Sequence, residues 1–199
     1  MGLTRNTIGS PPVTLDEVKQ KLRIATTNGE TAITDDDDEL NAILQAGCDH
    51  VERYTGRLFR TGTYTLTLDE FPDDDAPIVL PRPPFVSVQS FDYINTAGTW
   101  TTHTGHQTDI ASTPGRLLPA SGSSWPTTKD QANAVTIAFT AGIASSDDVP
   151  ASVKRAILLF CELEYDDVEP PKAARIEKRI EALVRGLIVR DPRTAGGGD

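Results

Sequence analysis

Two stretches of helical periodicity enclose residues 61–142, which read as short strands joined by turns, and this order restricts the folds open to the 199-residue chain. The first helical block covers residues 13–23 and 36–57; the second runs over residues 148–190. Both periods in one chain imply an α+β fold. The expected arrangement is an α-helical bundle of about four helices, with a small β-sheet or barrel-like module inserted between helices two and three. In sequence this gives a flexible N-terminal arm (1–12), a helical core in two pieces (13–60 and 143–190), the β module (61–142) and a flexible C-terminal tail (191–199).

The helix boundaries carry their own signals. Thr14 followed by Glu17 is a capping box, and Leu15, Val18 and Leu22 give the first helix its apolar stripe. Residues 35–38 are four aspartates. A calcium loop would need alternating ligands, a central Gly and a distal Glu, so they read instead as acidic residues favoured at a helix N-terminus. Leu40, Ile43, Leu44, Gly47, Cys48, Val51 and Tyr54 then recur at helical spacing, and Gly56 is the expected C-cap. Asp147 or Asp148 is expected to cap helix three, with Pro150 in its first turn. In that helix Leu158, Leu159 and Leu163 widen the apolar stripe, which suits a central position or a subunit contact. Helix four places Ile176, Ile180, Leu183, Val184, Leu187 and Ile188 on one face, so Leu183 and Leu187 join the expected interface or core set. Arg175, Lys178, Arg179 and Arg185 lie largely elsewhere on it.

From residue 61 the period falls to two. Tyr64, Leu66 and Leu68 alternate with threonines, and residues 78–80, 86–93, 99–103, 108–110, 116–118 and 135–140 read as further strands. Pro81, Pro83 and Pro84 belong in a bend or on an edge. Trp100 and Trp125 are expected to be core or interface anchors. His103 and His106 stand three apart with no third ligand, so they are expected on the surface rather than on a metal. His50 is expected to be exposed on helix two. There is no Gly-x-Ser-x-Gly elbow, no phosphate-cradling glycine loop before a helix and no favoured carboxylate pair. A non-enzymatic protein without cofactor or metal is the expectation.

The net charge of −10 is unevenly spread. Residues 1–171 hold 12 Lys and Arg against 25 Asp and Glu, whereas residues 172–199 hold 7 against 4. An acidic body repels phosphate and disfavours tight nucleic-acid binding. The basic last segment suits an acidic partner, through Arg175, Arg179, Arg185, Arg190 and Arg193. Cys48 and Cys161 sit in apolar helical patterns and are expected to be reduced core residues. No run approaches the roughly 20 apolar residues that span a bilayer, and no signal core begins the sequence.

Eight phrases stand in order along the chain. They are VTLDEVKQKLR (13–23), VERYTGR (51–57), LTLDEFP (66–72), IVLPRPPFVSV (78–88), PGR (114–116), WP (125–126), FTAG (139–142) and VPASVKRAILL (149–159). In this order the chain resembles the head–tail connector (adaptor) proteins of long-tailed phages and of phage-derived gene transfer agents, over residues 13–165. The resemblance implies a ring below the portal, expected to be a dodecamer, presenting its far side to a stopper or tail-completion protein. It implies that DNA passes through the channel without specific binding, and that the C-terminal segment inserts into or clasps the portal. The expected location is the head–tail joint of a virion or phage-like particle, assembled in the bacterial host cytoplasm. A monomer is expected in isolation. The simpler members of the family are mainly helical, so residues 61–142 depart from them, leaving outward decoration, stopper contact and ring stiffening as roles for the β module.

Overall fold

A computed structural model of the chain describes residues 1–24, 27–28, 31–32, 34–166 and 168–189. In chain order the elements are β1 (Gly2–Arg5), α1 (Leu15–Leu22), β2 (Thr27–Asn28), β3 (Thr31–Ala32), α2 (Asp37–Thr55), β4 (Gly62–Leu68) and β5 (Ile78–Val79). Then follow β6 (Phe85–Ile94), β7 (Trp100–Thr102), β8 (His106–Asp109), β9 (Arg116–Pro119), β10 (Val135–Ala141), α3 (Ala151–Tyr165) and α4 (Pro170–Val184). The fold is α+β, with four α-helices and antiparallel sheets among the described residues. Two compact units divide it: a helical unit from residues 10–59 and 143 onward, and a β unit from residues 1–9 and 60–142. No helix among the described residues is long and apolar enough to cross a membrane.

The helical unit begins on the capping box. Thr14 Oγ1 accepts from the Glu17 amide at 3.2 Å, and Glu17 Oε2 accepts from the Thr14 amide at 2.7 Å. Replacing Thr14 by alanine orphans one amide and is expected to cost about 1 kcal/mol, read as a lower urea midpoint. An unchanged midpoint would show the cap to be dispensable. Helix α2 ends at Gly56, whose φ of +70° is the left-handed cap that glycine adopts without strain. Leu40, Leu44, Cys48 and Val51 of α2 share one core with Val153, Ala156, Ile157 and Cys161 of α3 and with Ile176, Ile180 and Val184 of α4. Helix α3 packs against α1, α2 and α4, which accounts for its broad apolar circumference. Gly47 permits the close approach of α2 to α3, since a Cβ there would lie 3.1 Å from the Phe160 ring. Both cysteines are buried and free, and burial pushes the Cys161 thiol up to about 11, so it stays protonated and inert.

Two expectations for this unit are corrected. Neither Asp147 nor Asp148 caps α3. They lie in a 3₁₀ turn (Ser146–Asp148) capped by the Ser145 hydroxyl, and Pro150 holds the N-cap position of α3 with no side-chain bond. The cause is the proline: the residue before it is driven to extended geometry, and Val149 (φ −76°, ψ 127°) cannot carry a helix through. His50 is not a free surface residue either. It is half-buried, with its ring 5.1 Å from that of Phe160.

In the β unit a five-stranded sheet has the order β1-β4-β10-β6-β7, and a three-stranded sheet the order β5-β9-β8. Phe139 lies opposite Tyr64 and Ile137 opposite Leu66, so the alternation of β4 and β10 builds one apolar face. The flexible arm expected at residues 1–12 is, at Gly2–Arg5, an edge strand paired with Tyr64–Thr67. The pairing continues through the Asn6 amide to Thr63 O (2.8 Å) and the Gly9 amide to Thr61 O (2.6 Å). All four β1 residues are exposed, so the strand is held by backbone hydrogen bonds and leaves no hydrophobic pattern to read.

Candidate interaction surfaces

Helix α4 buries Ile176, Ile180 and Val184 and packs Leu183 against the same core. With that face fixed, the helical period sets Lys172, Arg175, Lys178, Arg179 and Arg185 along the outer flank, all exposed, and groups Glu177 with Glu181 on the other side of the exposed arc. The flank extends over about 20 Å. Lys172 is 3.2 Å from Glu162, which also holds Lys21. The Lys21 hydrogen bond, with help from Lys172, keeps the Glu162 carboxyl below the usual range. Among the described residues no carboxylate pairs with Arg175, Lys178, Arg179 or Arg185.

A surface of opposite sign lies at the start of α2. Asp35, Asp36, Asp38 and Glu39 are exposed there, and Tyr165 at the end of α3 donates its hydroxyl proton to Asp36 Oδ2 at 3.0 Å. That bond first, then partial burial and the charges of Asp36, Glu39 and Asp166, push the phenol above its ordinary value. Carboxylates from two helices therefore converge on one pole. At the far end of α2, the Val189 amide donates to Thr55 O and Arg57 Nε donates to Leu187 O, each at 2.8 Å. The C-terminal end of α4 with Arg185 thus lies at the opposite end of α2 from the acidic pole, a separation of about 28 Å.

The β unit carries a groove of about 630 Å³ between residues 69–75 and 125–132. Its floor includes Phe71 and Trp125, whose rings stack with centroids 5.2 Å apart. Asp75 has a structural task here, accepting from the Trp125 amide (2.9 Å) and Ser124 Oγ (2.8 Å), while Trp125 Nε1 donates to Ala76 O (3.0 Å). The histidines expected on the surface join this cluster. His103 meets Phe91 edge-on at 4.9 Å and Trp125 at 5.5 Å, and His106 lies 5.3 Å from Phe91. His103 Nε2 and His106 Nδ1 are buried with no hydrogen-bond partner among the described residues. The correction arises because Phe71, Phe91 and Trp125 reach the histidines only through the tertiary fold. Near β8 and β9, hydrogen bonds from Ser112 and Arg116 hold the Asp109 carboxyl down at about 2.

Burial, and then the neighbouring His106, push His103 below its ordinary value; burial alone does the same to His106. Below the unfolded value near 6.5 the unfolded chain binds protons that the folded unit refuses, so stability falls as pH falls. The loss is complete only below both folded values. Urea midpoints of the wild type are expected to drop between pH 7.5 and 5.5, and those of a His103→Gln, His106→Gln variant to change less. An equal slope in both proteins would refute this origin.

The basic residues read from sequence thus divide. Arg175 and Arg179 lie on α4 and Arg185 directly after it, all exposed, whereas Arg190 and Arg193 lie outside the described residues. Leu159 is in the helical core, and Leu158, Leu163, Leu183 and Leu187 are half-buried against it. Trp125 is buried at 9% exposure, while Trp100 on β7 is 55% exposed. No group of three or more His, Cys, Asp or Glu among the described residues is placed to hold a metal ion.

Fold and surfaces together define an acidic α+β protein whose distinguishing features are charged faces. No family model and no curated protein matches the chain. Solved structures do share its fold, each over 100% of this chain and 99% of the other. One is from the neck of an empty gene transfer agent particle computed with C6 symmetry (24% identity, TM-score 0.75). The second is from the virion of a native gene transfer agent particle (22%, 0.71), and the third from the neck of a native particle computed with C12 symmetry (21%, 0.67). The likeness carried by the sequence phrases is thereby matched by a likeness of the whole fold.

Proposed function

We propose that this chain is a structural head–tail joint protein of a phage-like particle, and within that class the adaptor, a ring below the portal that joins the DNA-filled head to the tail. The observation that carries the reading is the end-to-end likeness in fold to proteins of gene transfer agent necks. The C6 and C12 symmetries of those necks favour a ring, with twelve copies the natural number. The helical unit supplies the subunit contacts, with Leu158, Leu159, Leu163, Leu183 and Leu187 in its core or at its seams. The basic C-terminal segment, with Arg175, Arg179, Arg185, Arg190 and Arg193, is the part offered to partners, the portal first among them. The acidic body lets DNA pass without sticking. No chemical step is assigned to the protein.

In isolation the protein is a monomer, because association costs several kcal/mol and acidic bodies repel. The portal offsets this by holding many copies close together. Heads purified from cells that make no tails separate the joint proteins. The adaptor is expected on those heads, together with a stopper that is lost when the adaptor is removed. Recovery of this chain with free tails would instead identify a tail terminator.

A further inference from the structure

The helical unit presents a basic flank along α4 and an acidic pole at the start of α2, both exposed among the described residues, with the Arg185 end of the flank about 28 Å from the pole along α2. We infer that the basic flank of α4 docks on the acidic pole of the next copy, with Arg175 and Arg179 of one copy facing Asp35, Asp38 and Glu39 of its neighbour. The inference rests on the ring reading above and assigns the α4 part of the basic segment to a second copy, leaving Arg190 and Arg193 for other partners. A contact between two different faces of one chain is head-to-tail, and such contacts close into rings when the rotation permits.

Charge complementarity selects this occupant. The flank is free of carboxylates, and the chain itself supplies a pole where acidic residues of α2 and α3 converge on Tyr165. Nucleic acid would meet the same flank, but it would also meet a body with 25 acidic against 12 basic residues. Exposed ion pairs of this kind contribute little affinity singly. Like charges set against each other are strongly unfavourable, so the faces fix register and reject wrong pairings. Weak pairs also leave the free protein monomeric until a template gathers the copies.

The test uses two charge-reversed full-length chains in cells that make the particle. One carries Arg175→Glu and Arg179→Glu. The other carries Asp38→Lys and Glu39→Lys, which spares Asp36 for Tyr165 and Asp37 for Lys19. Each alone sets like charges against each other at every contact, and tailed particles are expected to fall at least tenfold by count. Produced together, the two chains present matched faces in alternation around an even ring, and the count is expected to return to within about twofold of wild type. That recovery also shows that both variants fold. Normal counts from either variant alone would overturn the inference, as would failure of the pair to recover. A gene deletion that leaves tailed particles normal would remove the joint reading itself, which is a separate outcome.

Discussion

Gly142→Ala is expected to cost the β unit about 4 kcal/mol and to lower its Tm by roughly 10 °C or more. Gly142 follows β10 with φ at +106°, a conformation that an L side chain rarely adopts. An alanine Cβ there would lie 2.1 Å from the Arg60 carbonyl oxygen and 2.7 Å from its carbon. Both are backbone atoms, so no side chain can swing aside. Relief would need the end of β10 to part from the chain entering β4, and it would break the 2.8 Å bond from the Gly142 amide to Pro84 O. The penalty therefore combines strain with a lost hydrogen bond. A Tm within about 2 °C of wild type would contradict this geometry.

Phe91→Ala is expected to cost about 3–5 kcal/mol. Phe91 is 2% exposed on β6, and its ring meets those of Phe71, His103, His106 and Trp125. Deleting it leaves a cavity at the centre of the aromatic cluster and admits water to both histidines. The same variant should therefore lose part of the acid sensitivity described above, since hydrated imidazoles titrate closer to their ordinary value. Full stability, or an undiminished pH slope at reduced stability, would show that the cluster does not bury the histidines as described.

What could be read from the sequence was local. The capping box at Thr14 and Glu17, the glycine stop at Gly56 and the alternation of Tyr64, Leu66 and Leu68 each arise from residues a few positions apart. Residues 135–140 were legible as a strand, but the reason for Gly142 beyond it was not, because Arg60 approaches it only in the fold. Strand β1 is not legible in the sequence for a related reason: Gly2–Arg5 is an exposed edge strand whose partner, Tyr64–Thr67, is distant along the chain. The aspartates at residues 35–38 were legible as a helix start, and their convergence with Asp166 on Tyr165 was not. On α4 the apolar spacing located the buried face, and with it the basic flank; only the structure showed the Arg185 end of that flank lying at the end of α2 remote from the acidic pole.

The central claim is that this chain joins a filled head to its tail, and the most direct measurement is an electron-microscope count of particles from cells lacking its gene. The account predicts DNA-filled or leaking heads beside separate, complete tails, with very few joined particles. Tailed particles at the normal frequency would contradict it.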